Sequence, residues 1–307
     1  MRIARALAAL HKQYTVLTRP LPSSFAHALN DFQHGSSDNI NLERARQEHQ
    51  MYTDKIKSIP EVARVVAMDV LDELPDSVFV EDVMIVVGKT AIVTRPGASS
   101  RRAEASATFD WLCKHCADLG LDRLENLTIE ADITIDGGDV LQAEGTVFVG
   151  QSTRTNTAAL AALQELLPSH VIVPVPVPSS TLHLKSIVTW LGPGLGYVVQ
   201  DSPEGSHVAE HVCAAVPGIV TAVPSALTAN ILRIGNTVLY NGQGIDLKAA
   251  VKESLETQLR GDADALLRGL QALEATTWWA VDDCAAEIAK ADGALTCCSV
   301  VMAQPLA

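Results

Sequence analysis

The most regular pattern along the chain is a unit of two short apolar segments, joined by a tight turn and followed by a stretch with helical spacing. The unit is clearest where Val78–Val87 and Ile92–Arg95 flank a turn at Gly88, with a helical stretch starting near Ser99. Runs rich in Val and Ile predict strands, and apolar residues three and four positions apart among charged ones predict a helix. The basic unit is therefore predicted to be strand, turn, strand, helix.

This unit recurs at intervals of roughly 45 to 65 residues, a spacing typical of solenoids and propellers. Later copies occupy residues 128–167, 182–215 and 226–274. The last apolar stretch, Ala291–Met302, is half a copy, and Thr15–Thr18 can supply its missing strand. A unit built from both chain ends closes a ring, so the pattern predicts five α/β units in one closed ring.

We predict a single domain over residues 1–307, with residues 1–13 as a leader and 303–307 as a tail. Before the first complete copy, Leu42–Ile59 is predicted as a helix and Val62–Val70 as a strand. Thr128–Asp136, at the start of the second copy, is also predicted as a strand.

Composition indicates a globular protein of the cytoplasm. Hydrophobic residues make up 48% of the chain and charged residues 19%, which is enough for a substantial core. The basic and then apolar opening is too short for an export signal, and no run approaches the roughly 18 apolar residues of a membrane helix. Six cysteines at irregular positions do not form a disulfide framework, so a reducing compartment is favoured.

The net charge of −13 limits the class of partner. The longest basic run is Arg101–Arg102, so nucleic acid is not an expected ligand. An acidic protein attracts cations, which suits a cationic substrate, although acidity at this level also serves ordinary solubility.

Reactive side chains occur just before or at the start of the apolar strands, so a closed ring would bring them together on its axis. They supply a thiol, an imidazole and several carboxylates, which are the groups of nucleophilic catalysis. Each also has a structural alternative, as a core histidine, a turn or a surface charge pair. The residues are Glu81, Asp82, Asp136, Asp139, His183, Asn230 and Cys297.

Two cysteine pairs need separate interpretations. Cys297 and Cys298 are adjacent on a predicted strand, where side chains alternate, so at most one of them can face the axis. Cys113 and Cys116 fall inside a predicted helix without a second pair at zinc-finger spacing. A packed helix face is favoured there over a metal site.

The chain resembles the dimethylarginine dimethylaminohydrolases, a family of the guanidine-modifying (pentein) superfamily. The resemblance runs from Arg19 to Cys298, nearly the whole chain, and implies a five-bladed α/β propeller. The segments that carry it, in the order of the family, are residues 74–82 (LPDSVFVED), 94–104 (TRPGASSRRAE), 136–141 (DGGDVL), 149–156 (VGQSTRTN), 182–186 (LHLKS) and 295–299 (LTCCS).

The resemblance also implies a role for each matched residue. Cys297 matches the nucleophile, His183 the general acid and base, and Asp136 the carboxylate that orients it. The residues implied to bind substrate are Glu81 and Asp82 at the guanidinium, Arg101 and Arg154 at the α-carboxylate, and Asp76 with the backbone of Leu29 and Ala291 at the α-amino group.

The implied reaction is hydrolysis of Nω-methylated arginines to citrulline and a methylamine, without metal or organic cofactor. An arginine deiminase or amidinotransferase of the same superfamily stays open, as does a propeller that binds ligands without catalysis. The implied partner is a small cationic amino acid, and the protein is expected to be a monomer or a homodimer. Residues 245–262 form a segment longer than the family requires.

Overall fold

The computed structural model describes residues 13–30 and 40–304. Nearly all of the predicted leader and residues 305–307 of the predicted tail lie outside that range. Ala303, assigned to the tail from the sequence, is the last residue of a strand.

The strands of the described residues form five three-stranded sheets. Within each sheet the first two strands in the order below are antiparallel and the last two are parallel. The sheets are β15 (Val300–Ala303) with β1 (Tyr14–Thr18) and β2 (Val62–Ala67); β3 (Met84–Val87), β4 (Thr90–Val93) and β5 (Arg123–Asn126); β6 (Val140–Ala143), β7 (Thr146–Gln151) and β8 (Val171–Pro176); β9 (Val188–Gly192), β10 (Gly196–Gln200) and β11 (Val220–Val223); β12 (Leu232–Ile234), β13 (Thr237–Tyr240) and β14 (Thr277–Ala280).

A helix connects the second and third strands of each sheet, because parallel neighbours need a crossover connection. The helices are α1 (Leu42–Lys57), α2 (Arg102–His115), α3 (Ala158–Leu166), α4 (Pro203–Ala215), the short α5 (Ala226–Ala229), α6 (Leu247–Gln258), α7 (Ala263–Ala275) and the short α8 (Ala286–Ala289). The fifth sheet is crossed by both α6 and α7, which accounts for the long segment at residues 245–262.

The predicted ring closure is confirmed. Strand β1 pairs with β15 in antiparallel register, from Tyr14 opposite Ala303 to Leu17 opposite Val300. The first strand of every sheet lines a central channel of about 350 Å³, which makes β3, β6, β9, β12 and β15 the inner strands of a five-bladed α/β propeller. The buried apolar clusters lie between these sheets and the helices that cover them.

Three predicted strands are wrong in position. Val78–Val83 is a buried series of turns, and strand β3 starts only at Met84. Residues 128–136 form no strand, since β4 pairs instead with the preceding residues Arg123–Asn126. The third case is the cysteine pair, which lies in a short 3₁₀ helix, Thr296–Cys298. In all three cases hydrogen bonds from other parts of the chain replace the strand pairing that the local pattern favours.

No helix among the described residues is long and apolar enough to cross a membrane. On α2, Cys113 is exposed and only Cys116 packs against the apolar cluster, so the predicted packed face includes one of the two thiols.

Candidate active site

The residues singled out from the sequence come together at one end of the propeller axis. Most of them lie in the connections that precede the inner strands, whereas Leu29, Arg101 and Arg154 follow the second strands β1, β4 and β7. Together they enclose a cavity of about 20 Å³. Nine of the ten predicted site residues line this cavity: Leu29, Asp76, Asp82, Arg101, Asp136, Arg154, His183, Ala291 and Cys297. The tenth, Glu81, lies beneath it.

The imidazole of His183 is held between two carboxylates. Its Nε2 lies 3.0 Å from Oδ2 of Asp136, and its Nδ1 lies 3.8 Å from Oδ1 of Asp82. Asp136 is itself fixed, because its Oδ1 accepts a hydrogen bond from the amide of Gly97 at 2.9 Å. The ring orientation is therefore set from the Nε2 side, which leaves Nδ1 facing Asp82.

Asp139, the second carboxylate of the Asp-Gly-Gly-Asp segment, acts on the site indirectly. It is fully buried and accepts hydrogen bonds from the hydroxyls of Ser152 and Thr155, both at 2.6 Å, and from the amide of Leu184 at 2.9 Å. Burial raises the pKa of Asp139 to about 6. Because Leu184 follows His183 directly, Asp139 fixes the backbone that carries the imidazole.

The two glycines between these carboxylates are needed for close approach. A Cβ on Gly137 would lie 1.9 Å from the carbonyl oxygen of Glu81, and one on Gly138 would lie 2.4 Å from Nδ1 of His183. Any side chain there would displace the imidazole or the neighbouring loop, which explains why the segment contains glycine at both positions.

Asp82 and Arg101 form a buried ion pair at the cavity wall. Nη1 of Arg101 donates to Oδ2 of Asp82 at 2.6 Å, while Nε and Nη2 bind the buried Glu104. Nη2 also reaches the backbone carbonyls of Asp76 and Phe79 at 3.2 Å. Arg101 is thus engaged within the protein, and contact with a substrate carboxylate would require it to exchange one of these partners.

The structure separates the two adjacent acids that the sequence assigned to the guanidinium. Glu81 points away from the cavity into the central channel, where Oε1 pairs with Nζ of Lys185 at 2.5 Å and Oε2 accepts from the hydroxyl of Thr296 at 2.7 Å. In this arrangement only Asp82 faces the cavity, and Glu81 contributes to the floor between the cavity and the channel.

Cys297 and Cys298 diverge as expected, but for a different reason than strand alternation. In the 3₁₀ helix Thr296–Cys298, Cys297 lines the cavity while Cys298 is buried in the apolar cluster beneath α1. The turn is held by polar contacts, since the Thr296 amide donates to Oδ1 of Asn230 at 3.0 Å and the Cys297 carbonyl accepts from the Glu81 amide at 3.1 Å.

The charges of the site favour the protonated imidazolium form of His183 and disfavour the thiolate form of Cys297. Burial alone would lower the pKa of His183, but Asp82 and the hydrogen bond to Asp136 raise it to about 9. Burial, and then the charges of Asp82 and Glu81, raise the pKa of the Cys297 thiol far above its ordinary value. Near neutral pH the site therefore holds an imidazolium beside a protonated thiol.

The raised pKa of His183 predicts a pH-dependent stability. Its folded-state value of about 9 exceeds the ordinary 6.5, so the imidazolium contributes stability that is complete below pH 6.5 and lost as pH rises through 9. The free energy of unfolding should fall by about 3 kcal/mol over that window. Denaturant unfolding at pH 6, 7.5 and 9.5 measures this, and His183→Gln serves as the control. An equal alkaline slope in both proteins would contradict the assignment.

The remaining predicted residues complete the outer part of the cavity. Oδ1 of Asp76 accepts a hydrogen bond from the amide of Leu29 at 3.0 Å, and burial raises the pKa of Asp76. Arg154 and Ala291 line the same cavity. The sequence did not assign four further lining residues, whose only signal was their position beside assigned ones: Phe79, Leu182, Asp292 and Gly293.

One cluster in the site has donor atoms spaced as for a metal ion. Ligand atoms of Asp82, Asp136 and His183 lie within 4.8 Å of one another. A cation there would have to displace the proton of His183 and compete with Arg101 for Asp82, because neutral imidazole is the form that binds metals. The close spacing of these three groups is explained by the ion pairs that they form with one another and with Arg101.

Fold and site together define a five-bladed α/β propeller with a thiol, an imidazole and carboxylates at one end of its axis. A family model described as N,N dimethylarginine dimethylhydrolase, eukaryotic, matches residues 22–215. The chain belongs to the dimethylarginine dimethylaminohydrolase family.

Known proteins show the same likeness. The N(G),N(G)-dimethylarginine dimethylaminohydrolase of Streptomyces coelicolor is 36% identical over 179 residues, which cover 56% of this chain and 61% of the relative. Two solved structures share the fold. A Pseudomonas aeruginosa dimethylarginine dimethylaminohydrolase variant complexed with citrulline has a TM-score of 0.70 at 21% identity, covering 95% of this chain and 100% of that one. The N-terminal domain of ArgZ, a cyanobacterial arginine dihydrolase, has a TM-score of 0.72 at 15% identity, covering 96% and 100%.

Proposed function

We propose that the protein hydrolyses Nω-methylated L-arginines to L-citrulline and methylamine or dimethylamine. The observation that carries the proposal is that Cys297, His183 and Asp136 line the same small cavity as Asp82 and Arg154. A nucleophile, a proton-transfer group and charges of both signs thus surround one small cavity. Family membership supports the same reaction.

The acceptors at the reacting end of the cavity favour a methylated guanidinium. Among the described residues, both oxygens of Asp136 and of Glu81 have partners, whereas Oδ1 of Asp82 is buried and accepts no hydrogen bond. Among these three carboxylates, one available oxygen offers fewer acceptor positions than the two NH₂ groups of arginine have donors, and buried donors without acceptors are costly. A dimethylated nitrogen carries no hydrogen and avoids that cost.

The first half of the proposed reaction transfers the amidine carbon to the enzyme. The positive charge of the bound guanidinium stabilises the Cys297 thiolate, whose proton goes to solvent. Sulfur then bonds to the guanidinium carbon, and the carbon–nitrogen bond to the methylated amine breaks as the imidazolium of His183 donates a proton to that nitrogen. The products are the free amine and an S-alkylthiouronium on Cys297.

The second half releases citrulline. His183, now neutral, takes a proton from water as the oxygen bonds to the same carbon. The carbon–sulfur bond then breaks and the carbonyl of citrulline forms, while the remaining hydroxyl proton of the intermediate passes to the departing sulfur and restores the Cys297 thiol. Asp136 and Asp82 stabilise His183 whenever it is cationic, so the same residues support both proton transfers. Since the cavity of about 20 Å³ holds only about one water molecule, its wall must open to admit substrate.

A citrulline assay tests the proposal. Asymmetric dimethylarginine, monomethylarginine and arginine are supplied at equal concentration to the purified protein, with ammonia and methylamines measured in parallel. We expect citrulline with dimethylamine or methylamine from the methylated substrates and little ammonia from arginine. Preferred release of ammonia would make the protein an arginine deiminase, transfer to an added amine an amidinotransferase, and no product from any of the three a binding protein.

Charge substitutions at the two ends of the cavity should affect different kinetic constants. Arg154→Ala removes a partner of the α-carboxylate that is present before and during reaction, so KM should rise while kcat changes little. Asp82→Asn removes a charge beside the reacting carbon and beside His183, so kcat should fall as well, by a transition-state effect on the order of 2 to 5 kcal/mol. Steady-state kinetics with dimethylarginine measure both. An unchanged KM in Arg154→Ala, or a parental kcat in Asp82→Asn, would contradict the proposed orientation of the substrate.

A further inference from the structure

The phenol of Tyr52 lies directly behind the nucleophile. Tyr52 is on helix α1, is 1% exposed, and is far from the cavity in sequence. Its hydroxyl lies 2.6 Å from the carbonyl oxygen of Leu295 and 2.8 Å from Oγ of Ser299. We propose that Tyr52 is a positioning residue that fixes the Cys297 turn for attack, an inference that rests on the proposed function for its kinetic consequences.

The directions of the two hydrogen bonds follow from the donors available. A carbonyl only accepts, so the single phenolic proton is donated to Leu295. The Tyr52 oxygen then accepts a hydrogen bond from the Ser299 hydroxyl. Both bonds are buried, where a polar group has no water as a substitute partner. The phenol therefore joins two fixed points of the backbone.

Those two points bracket the nucleophile. Leu295 precedes and Ser299 follows the 3₁₀ helix Thr296–Cys298, so one side chain ties both ends of the turn that carries Cys297. A single 3₁₀ turn is closed by weak hydrogen bonds, here the 3.2 Å bond from the Ser299 amide to the Thr296 carbonyl. Outside contacts must hold such a turn in one conformation.

The other contacts of the turn come from the opposite side. Thr296 is bound by Asn230 and Glu81, which belong to the connections preceding β12 and β3. Glu81 and Thr296 line the central channel. Tyr52 acts from the apolar cluster under α1, on the side of Cys298. The turn is thus held between the channel and the core, and Tyr52 supplies the polar contact on the core side.

The substrate-binding part of the cavity is anchored to α1 by separate residues. The carboxylate of Glu48 accepts a hydrogen bond from the backbone amide of Glu287 at 2.7 Å. The side chain of Glu287 accepts one from the backbone amide of Asn41 at 2.8 Å. These bonds hold α8, which leads directly into Ala291 and the rest of the cavity wall. Loss of the Tyr52 hydroxyl leaves them intact, so substrate binding should not depend on it.

The test compares Tyr52→Phe with Tyr197→Phe. Tyr197 is equally buried and donates one hydrogen bond to the Val216 carbonyl at 2.9 Å, but it lies in another blade away from the cavity. Both variants lose one buried hydroxyl, so both should lose thermal stability. In Tyr52→Phe alone, kcat per titratable active site should fall about tenfold with KM within about twofold, because small displacements of a nucleophile are costly.

A second readout is independent of the natural substrate. The cationic electrophile 2-chloroacetamidine alkylates a thiol, as the carbon–sulfur bond forms, chloride departs with the bonding pair and the thiol proton goes to solvent. Alkylation of Cys297, followed by intact-protein mass, should be slowed in Tyr52→Phe to a similar degree and unchanged in Tyr197→Phe. Absence of citrulline from the parent protein would overturn the proposed function, whereas the alkylation comparison would still decide the role of Tyr52.

The result that overturns the inference is an unchanged kcat per active site and an unchanged alkylation rate in a folded Tyr52→Phe protein. Should Tyr52→Phe fail to fold, Ser299→Ala removes one half of the bridge while the bond to Leu295 persists. A smaller decrease in both rates is then expected, and parental rates in Ser299→Ala would also overturn the inference.

Discussion

Replacement of Cys297 by serine is expected to reduce turnover of dimethylarginine by about 10⁴-fold or more, because a neutral hydroxyl is a far weaker nucleophile than a thiolate. The geometry of the cavity should be kept, since serine differs from cysteine by one atom. Citrulline release in single-turnover and steady-state assays measures the loss. Binding of dimethylarginine, followed by titration calorimetry, should survive, and this separates a chemical defect from a misfolded protein.

The matched control is the neighbouring thiol. Cys298 is 1% exposed and packs with Tyr52 and Cys284 in the apolar cluster, so Cys298→Ala should cost stability and leave most of the turnover. An inactive Cys298→Ala protein that is folded, together with an active Cys297→Ser protein, would show that the two thiols have been assigned in the wrong order.

The closed ring could be predicted because the repeated unit can be recognised in short stretches of the sequence. Each blade repeats a Val- and Ile-rich pair of segments around a turn, and the incomplete copies at the two chain ends fit one another. The positions of some strands could not be predicted, because apolar content does not distinguish a buried turn from a strand. Val78–Val80 are as buried as a central strand, but their backbone follows turns that place Asp82 at the axis.

The positions of the site residues at the axis could be predicted from the sequence, whereas the directions of their side chains could not. His183 and Asp136 could be placed together at the axis because each lies before an inner strand, but their pairing was implied only by the family resemblance. The engagement of Arg101 by Glu104, and of Glu81 by Lys185, depends on side-chain directions that sequence spacing does not reveal. Tyr52 gave no signal, since an aromatic residue on the apolar face of a helix is expected to be core.

The electrostatics of the site explain why substrate charge is central to the reaction. In the free protein Asp82 is ionised beside Arg101 and His183, both of which lower its pKa although burial opposes them. The same carboxylate raises the pKa of the Cys297 thiol. A cationic guanidinium beside Asp82 compensates that negative charge and favours the thiolate, whereas a neutral ligand would leave the thiol protonated. The site therefore couples nucleophile activation to binding of the correct charge.

His183→Gln is expected to lower turnover by at least about a hundredfold, the usual contribution of general acid and base catalysis. Glutamine keeps a polar side chain opposite Asp136 but cannot donate and recover a proton near neutral pH. With dimethylarginine, the amine would have to leave unprotonated, so no covalent intermediate should accumulate. Steady-state citrulline release and intact-protein mass spectrometry measure the two quantities.

The two proton transfers of His183 can be separated by the leaving group. A substrate analogue with an alkylthio group in place of the dimethylamino group releases an alkylthiolate, which needs no proton donor to depart, so the first step should survive in His183→Gln. Activation of water would still be lost, and a thiouronium adduct should accumulate on Cys297, visible as an increase in protein mass that is absent in the parent. Rapid hydrolysis of that adduct by the variant would show that another group activates water, and His183 would then retain only the role of acid.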